Sequence, residues 1–136
     1  MTYTLDACAV LALLKNENGA DLVDSLLVEA ASGGCRVQMS KYNLLEVYYG
    51  FLREDGEMFA EKQIKAIRES PINIIEYLSD KAFRIAGRLK AKYKISLADA
   101  VVLGQGLADG AIIVSSDHHE FDVIEKNEEV SFLWVR

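Results

Sequence analysis

Five short apolar or β-branched runs recur along this chain, at residues 3–5, 36–39, 72–75, 111–114 and 131–135. Longer stretches of helical composition and period separate them, at 10–15, 19–31, 41–53, 57–69, 79–93 and 97–108. Strands that alternate with helices have one economical arrangement, an α/β domain around a mostly parallel sheet. The connections are brief. Ser32-Gly33-Gly34 closes one helical stretch, Pro71 follows another, and Asp109-Gly110 turns into a strand. No linker, repeat or low-complexity stretch interrupts 136 residues, so the expectation is a single domain over residues 1–136.

Composition narrows the function classes. The chain is 51% hydrophobic and 26% charged, as an ordinary globular protein is. Cys8 and Cys35 form no CxxC or Cys/His zinc spacing and read as reduced thiols. The start, Thr2-Tyr3-Thr4-Leu5, has no basic region or long apolar run, so no signal peptide is expected. No run reaches the ~18 apolar residues of a membrane span, and the expected location is the cytoplasm. The net charge of −6 argues against a passive nucleic-acid binder, which carries a basic face. It leaves open a nucleic-acid enzyme whose carboxylates hold a cation, because the cation reverses the sign that a phosphate meets.

Ligands of open α/β sheets gather at the carboxyl ends of the strands. Asp6 follows the first run directly, and Ser115-Ser116-Asp117 follows the fourth. Asp6 fits a helix N-cap and fits a metal ligand, and separate oxygens allow both. Asp99 lies three residues after Ser96, in a first helical turn where negative charge is favoured; it too fits either role. Glu46 belongs to a narrow polar stripe of Asn43, Glu46, Gly50 and Arg53 on a helix otherwise covered by Tyr42, Leu44, Leu45, Tyr48, Tyr49, Phe51 and Leu52. So apolar a helix should be largely buried, its stripe facing a cleft or another chain; the alternative is a solvated face. Gly50 within it suits a close backbone approach. His118 and His119 read as a surface loop, because adjacent residues rarely reach one ion. Glu120 and Asp122 are peripheral candidates.

Other chemistries lack their residues. There is no GxSxG, P-loop, GxGxxG or HExxH. Cys8 shows no sign of activation. Carboxylate-held metal chemistry remains, with Asp6, Glu46, Asp99 and Asp117 as its acids.

Asp6 at a strand end, the run 40–46 (Ser-Lys-Tyr-Asn-Leu-Leu-Glu), the run 96–100 (Ser-Leu-Ala-Asp-Ala), and Ser115-Ser116-Asp117 with Phe121 together resemble the PIN-domain ribonucleases. Among these the likeness is to the VapC toxins of toxin–antitoxin pairs, and it spans nearly the whole chain. The resemblance implies a three-layer α/β/α sandwich and an Mg²⁺- or Mn²⁺-dependent endoribonuclease. It maps the acid quartet onto Asp6, Glu46, Asp99 and Asp117, with Ser115 as a polar neighbour. It also implies a homodimer and a cognate antitoxin that inserts near the acids. Cys8 stands where the family more often has Ser or Thr, and His118-His119 is an unusual continuation of the last acid.

For gripping RNA, the candidates are Ser115, Arg53 and Arg88, with Lys41, Arg84, Lys90, Lys92 and Lys94 as further cations. Arg84, Arg88 and Lys92 share a face by four-residue spacing. Two rival readings remain. One is a PIN-like module that binds protein or RNA without cutting. The other is a phosphoacceptor receiver-like domain, which would want a Lys near its last strand; the run 131–136 has none.

Overall fold

The structure, a computed structural model, describes residues 1–136. Strands β1 (Thr2–Leu5), β2 (Arg36–Ser40), β3 (Asn73–Ile75), β4 (Ile112–Ser115) and β5 (Phe132–Trp134) form one sheet in the order β3-β2-β1-β4-β5. Every neighbouring pair is parallel. A parallel sheet is covered on both faces, which is why its strands read as unbroken apolar runs. Successive residues take opposite faces: Val114 joins one core with Leu5, Val37 and Met39, while Ile113 joins the other with Leu103 and Phe121.

Helices α1 (Ala7–Leu14), α2 (Ala20–Ala31), α3 (Lys41–Asp55) and α4 (Glu57–Glu69) pack over the first face through Val10, Val23, Val47 and Ile67. Helices α5 (Asp80–Lys92), α6 (Leu97–Ala108) and α7 (His118–Asn127) cover the second through Leu89, Leu103 and Ile124. The result is the three-layer α/β/α sandwich that the resemblance implies. Strand order reverses between β1 and β4, so α1 and α7 leave adjacent strands toward opposite faces. That opens a crevice at the carboxyl edge.

Three expectations change. His118 and His119, read as part of a polar surface loop, open a helix, α7, that runs to Asn127. Asp117 caps it and Phe121 and Ile124 bury one short stripe, too little for a clear helical period. Helix α3 is less buried than its apolar content suggests. Tyr42, Leu45 and Tyr49 are exposed, whereas polar Asn43 is fully buried. Nothing lies within 4 Å of a Cβ built on Gly50, so no backbone approaches there.

The close approach is at Gly104 instead. A Cβ there would stand 2.6 Å from the Ala82 carbonyl oxygen and 2.9 Å from the Ala86 nitrogen. Glycine lets α6 cross α5 at backbone contact, and this crossing sets the position of the helix that carries Asp99. In an exposed helix, Gly to Ala adds about 1 kcal/mol of stability. At position 104 the sign is expected to reverse: Gly104→Ala should destabilise the fold by about 1–3 kcal/mol, the usual cost of overpacking. Urea unfolding of both proteins checks it.

Candidate metal centre

Leu5 pairs with Val114 in the β1–β4 register, so Asp6 and Ser115 are neighbours one step further along. The Asp6 N–H donates to the Val114 carbonyl at 3.2 Å, extending the ladder to the acid itself. Asp6 then caps α1, Oδ1 accepting from the Ala9 N–H at 2.8 Å. Its Oδ2 accepts from Ser115 Oγ. The same Oγ accepts from the Asp117 N–H at 2.9 Å. Ser115 is fully buried, which fits the pinning of two acids and leaves it no surface for a substrate contact.

Asp117 caps α7, with Oδ1 accepting from the Glu120 N–H at 3.2 Å. Asp99 lies in the first turn of α6, where its N–H donates to Ser96 Oγ at 3.1 Å. Glu46 projects from α3 and accepts from Asn43 Nδ2 at 3.3 Å. Cap and candidate ligand are thus the same residue at Asp6 and at Asp117.

Electrostatics ties the four together. Burial pushes the Asp6 carboxyl up to about 7, against bonds from Ser115 and Ala9 that favour its charge; Asp99 and Asp117 raise it further. Burial likewise lifts Asp99 to about 6, helped by the charges of Asp117, Glu46 and Glu120. Glu46 is raised by burial and by Asp117, against its bond from Asn43. No Lys or Arg forms an ion pair with any of the four. Nor do three acids, imidazoles or thiols close into a ready-made cage. The cluster is open, with like charges facing one another.

The donor chemistry suits a hard cation. Every acid offers only oxygen, the preference of Mg²⁺ and Mn²⁺. The one nearby sulfur, Cys8, is held protonated: burial first, then the charges of Asp6, Asp117, Asp99 and Glu46, push its thiol up to about 12.

The histidines turn elsewhere. His118 stacks on Trp134 with ring centres 3.8 Å apart, and its Nδ1 and Nε2 meet Asp122 Oδ1 and the Arg136 carbonyl, each at 2.8 Å. This engages Asp122 as well. His119 is exposed, and Glu120 contributes its charge near Asp99.

Among the cations, Arg53 lies 5.6 Å over the Tyr49 ring on the helix that bears Glu46. Arg88 and Lys92 instead ion-pair with Glu128, at 3.2 and 2.9 Å. Glu128 ends α7 and Asp117 begins it, so a ten-residue helix, about 15 Å, separates Arg88's partner from the acids. Arg88 thus carries an ion pair with Glu128 while staying exposed on a groove that Tyr42 and Leu97 also line. One residue that the sequence marks only as part of a stripe, Asn43, touches the site through Glu46, and Glu120, a peripheral candidate, lends its charge near Asp99.

Against known proteins, the family model described as PIN domain matches residues 3–127. No curated protein matches the chain. Among solved structures, VapBC2 from Rickettsia felis bound to a promoter DNA fragment is similar at TM-score 0.76 and 18% identity, covering 98% of both chains. VapBC-1 from nontypeable Haemophilus influenzae aligns at TM-score 0.75 and 20% identity, over 99% of this chain and 98% of the other. A toxin–antitoxin complex from Klebsiella pneumoniae aligns at 0.70 and 15%, over 98% of both.

The raised Asp6 carboxyl carries a stability consequence. Its folded value of about 7 exceeds the ordinary 3.8, so between these limits the folded state holds more protons than the unfolded. Stability must then fall as pH rises through that window. With EDTA present, Asp6→Asn is expected to raise the melting temperature at pH 8 and to change it little near pH 4. Melting curves across that range test this, and a variant that melts lower at pH 8 contradicts it.

Proposed function

Because the chain belongs to the PIN domain family, we propose that it is a VapC-like toxin that hydrolyses RNA phosphodiester bonds with bound Mg²⁺ or Mn²⁺. The observation that carries this reading is the cluster of Asp6, Glu46, Asp99 and Asp117 at the crevice edge, without a basic partner among them. Asp6, Asp99 and Asp117 are proposed as the principal metal ligands, joined by Glu46. A bound divalent ion would supply a hard Lewis acid that acidifies water and neutralises charge on the scissile phosphate.

The chain's own groups would do the rest. Ser115 and the Ala9 N–H hold both Asp6 oxygens in place, and the Ser115 link to the Asp117 N–H sets the opposite wall. Glu46 is half-buried with a carboxyl raised by burial, which makes it a stronger base than an exposed glutamate and suits it to take a proton from the attacking water. Arg53 is the proposed grip on the RNA backbone, as a rigid fork for phosphate.

The partners in this proposal are a cognate antitoxin and a second copy of the chain, in the cytoplasm. No helix is long and apolar enough to cross a membrane. A groove of about 750 Å³ is lined by exposed Tyr42, Phe83 and Leu97 with Arg84 and Arg88. An apolar surface of that kind suits cover by another protein. Tyr42 shares α3 with Glu46, and Leu97 shares α6 with Asp99, so a protein seated there would lie next to the acids.

The test is cleavage of RNA by purified protein with Mn²⁺ and with EDTA. Asp6→Asn and Asp99→Asn are each expected to abolish metal-dependent cleavage while keeping the wild-type circular dichroism. Undiminished cleavage by both variants would sink the proposal. A non-catalytic module would show neither Mn²⁺ binding by calorimetry nor metal-dependent cleavage.

A further inference from the structure

Asn43 is fully buried on α3, and its Oδ1 has no hydrogen-bond partner. Its other amide atom is fully used: Nδ2 donates to Glu46 Oε1 and to the Ala98 carbonyl, both at 3.3 Å. The orientation has no alternative. Both neighbours are acceptors, so turning the amide over would set Oδ1 against two oxygens. An unpaired buried acceptor is destabilising, and Asn is a poor helix former. An apolar side chain at 43 would avoid both penalties, so this position is explained by what Nδ2 does rather than by what it contributes to packing.

We propose that Asn43 is the positioning residue for Glu46, with the Ala98 carbonyl holding its amide so that the carboxylate is presented to the acid cluster. Residues three apart share a helix face, so Asn43 reaches Glu46 without bending α3. Ala98 comes from α6, immediately before Asp99. The amide therefore refers the Glu46 carboxylate to the helix that carries another acid, across 55 residues of sequence. Left alone, a glutamate with three rotatable bonds would lean toward water, away from three like charges. This inference rests on the reading of Glu46 as a metal-site residue.

The experiment is a double-mutant cycle on Mn²⁺ affinity, read by calorimetry without RNA for wild type, Asn43→Ala, Glu46→Ala and the double variant. Asn43→Ala is expected to weaken Mn²⁺ binding by about 10- to 100-fold, the range for residues that orient ligands. In the Glu46→Ala background the same change should have no further effect, because there is nothing left to position. Should Asn43→Ala fold poorly, Asn43→Leu, which fills the space with carbon and lacks both donors, is read the same way. Wild-type affinity in the Asn43 variant, or losses that simply add in the double variant, overturns the proposal while leaving the metal site standing. A wild-type protein that binds no Mn²⁺ overturns the metal site itself and this inference with it.

Discussion

One buried hydroxyl fixes the geometry of the acidic crevice. Ser115 Oγ donates to Asp6 and accepts from the Asp117 backbone, so the acids that follow β1 and β4 are referred to a single atom. That atom is placed by the parallel pairing of β1 with β4, whose register sets Asp6 beside Ser115. The pairing depends in turn on two cores that anchor alternate residues of β4 to opposite helical layers. Core packing, strand register and carboxylate position are thus successive consequences of one strand arrangement.

The same arrangement concentrates negative charge, and the fold offsets it only in part. Asp6, Asp99 and Asp117 lie at the N-termini of α1, α6 and α7, where unpaired N–H groups and the helix dipole favour an anion. Burial outweighs that support at Asp6 and Asp99, whose carboxyls rise to about 7 and about 6. A site left in this condition gains from any cation that enters it. At Asp6 and Asp117 the cap itself brings the carboxylate to the crevice, whereas Asp99 stands in a first turn that Ser96 caps.

How much of this was legible in the sequence varied with the range of the interaction. The strands and six helices could be read because their apolar runs and periods are local, and Asp6 and Asp117 because each follows a strand directly. Helix α7 was missed: its buried stripe is only Phe121 and Ile124, and the polar segment between Asp117 and Asp122 resembles a loop. Its one local signal was Asp117 with Glu120 three residues on, the spacing of a capped helix start. On α3, aromatic content suggested burial, yet Tyr42 and Tyr49 face outward while Asn43 is enclosed. Apolar identity does not say which side of a helix meets the core when nearly every side is apolar. The ion pair of Arg88 is not legible because its partner, Glu128, lies 40 residues away and reaches it only through α7.

Glu128 also shows why the crevice is built as it is. This glutamate meets Lys92, Tyr93 and Arg88, which hold its carboxyl down at about 2. Such an acid is permanently ionised and already neutralised, suited to fastening α5 to the end of α7 and useless to a cation. The crevice acids are held instead by neutral donors: the Ser115 hydroxyl, the Asn43 amide and the backbone N–H of Ala9. Neutral donors fix direction without cancelling charge. A lysine or arginine in their place would pair with the carboxylates and occupy the same oxygens. A fold that keeps its carboxylates oriented but without a basic partner is therefore restricted to uncharged support.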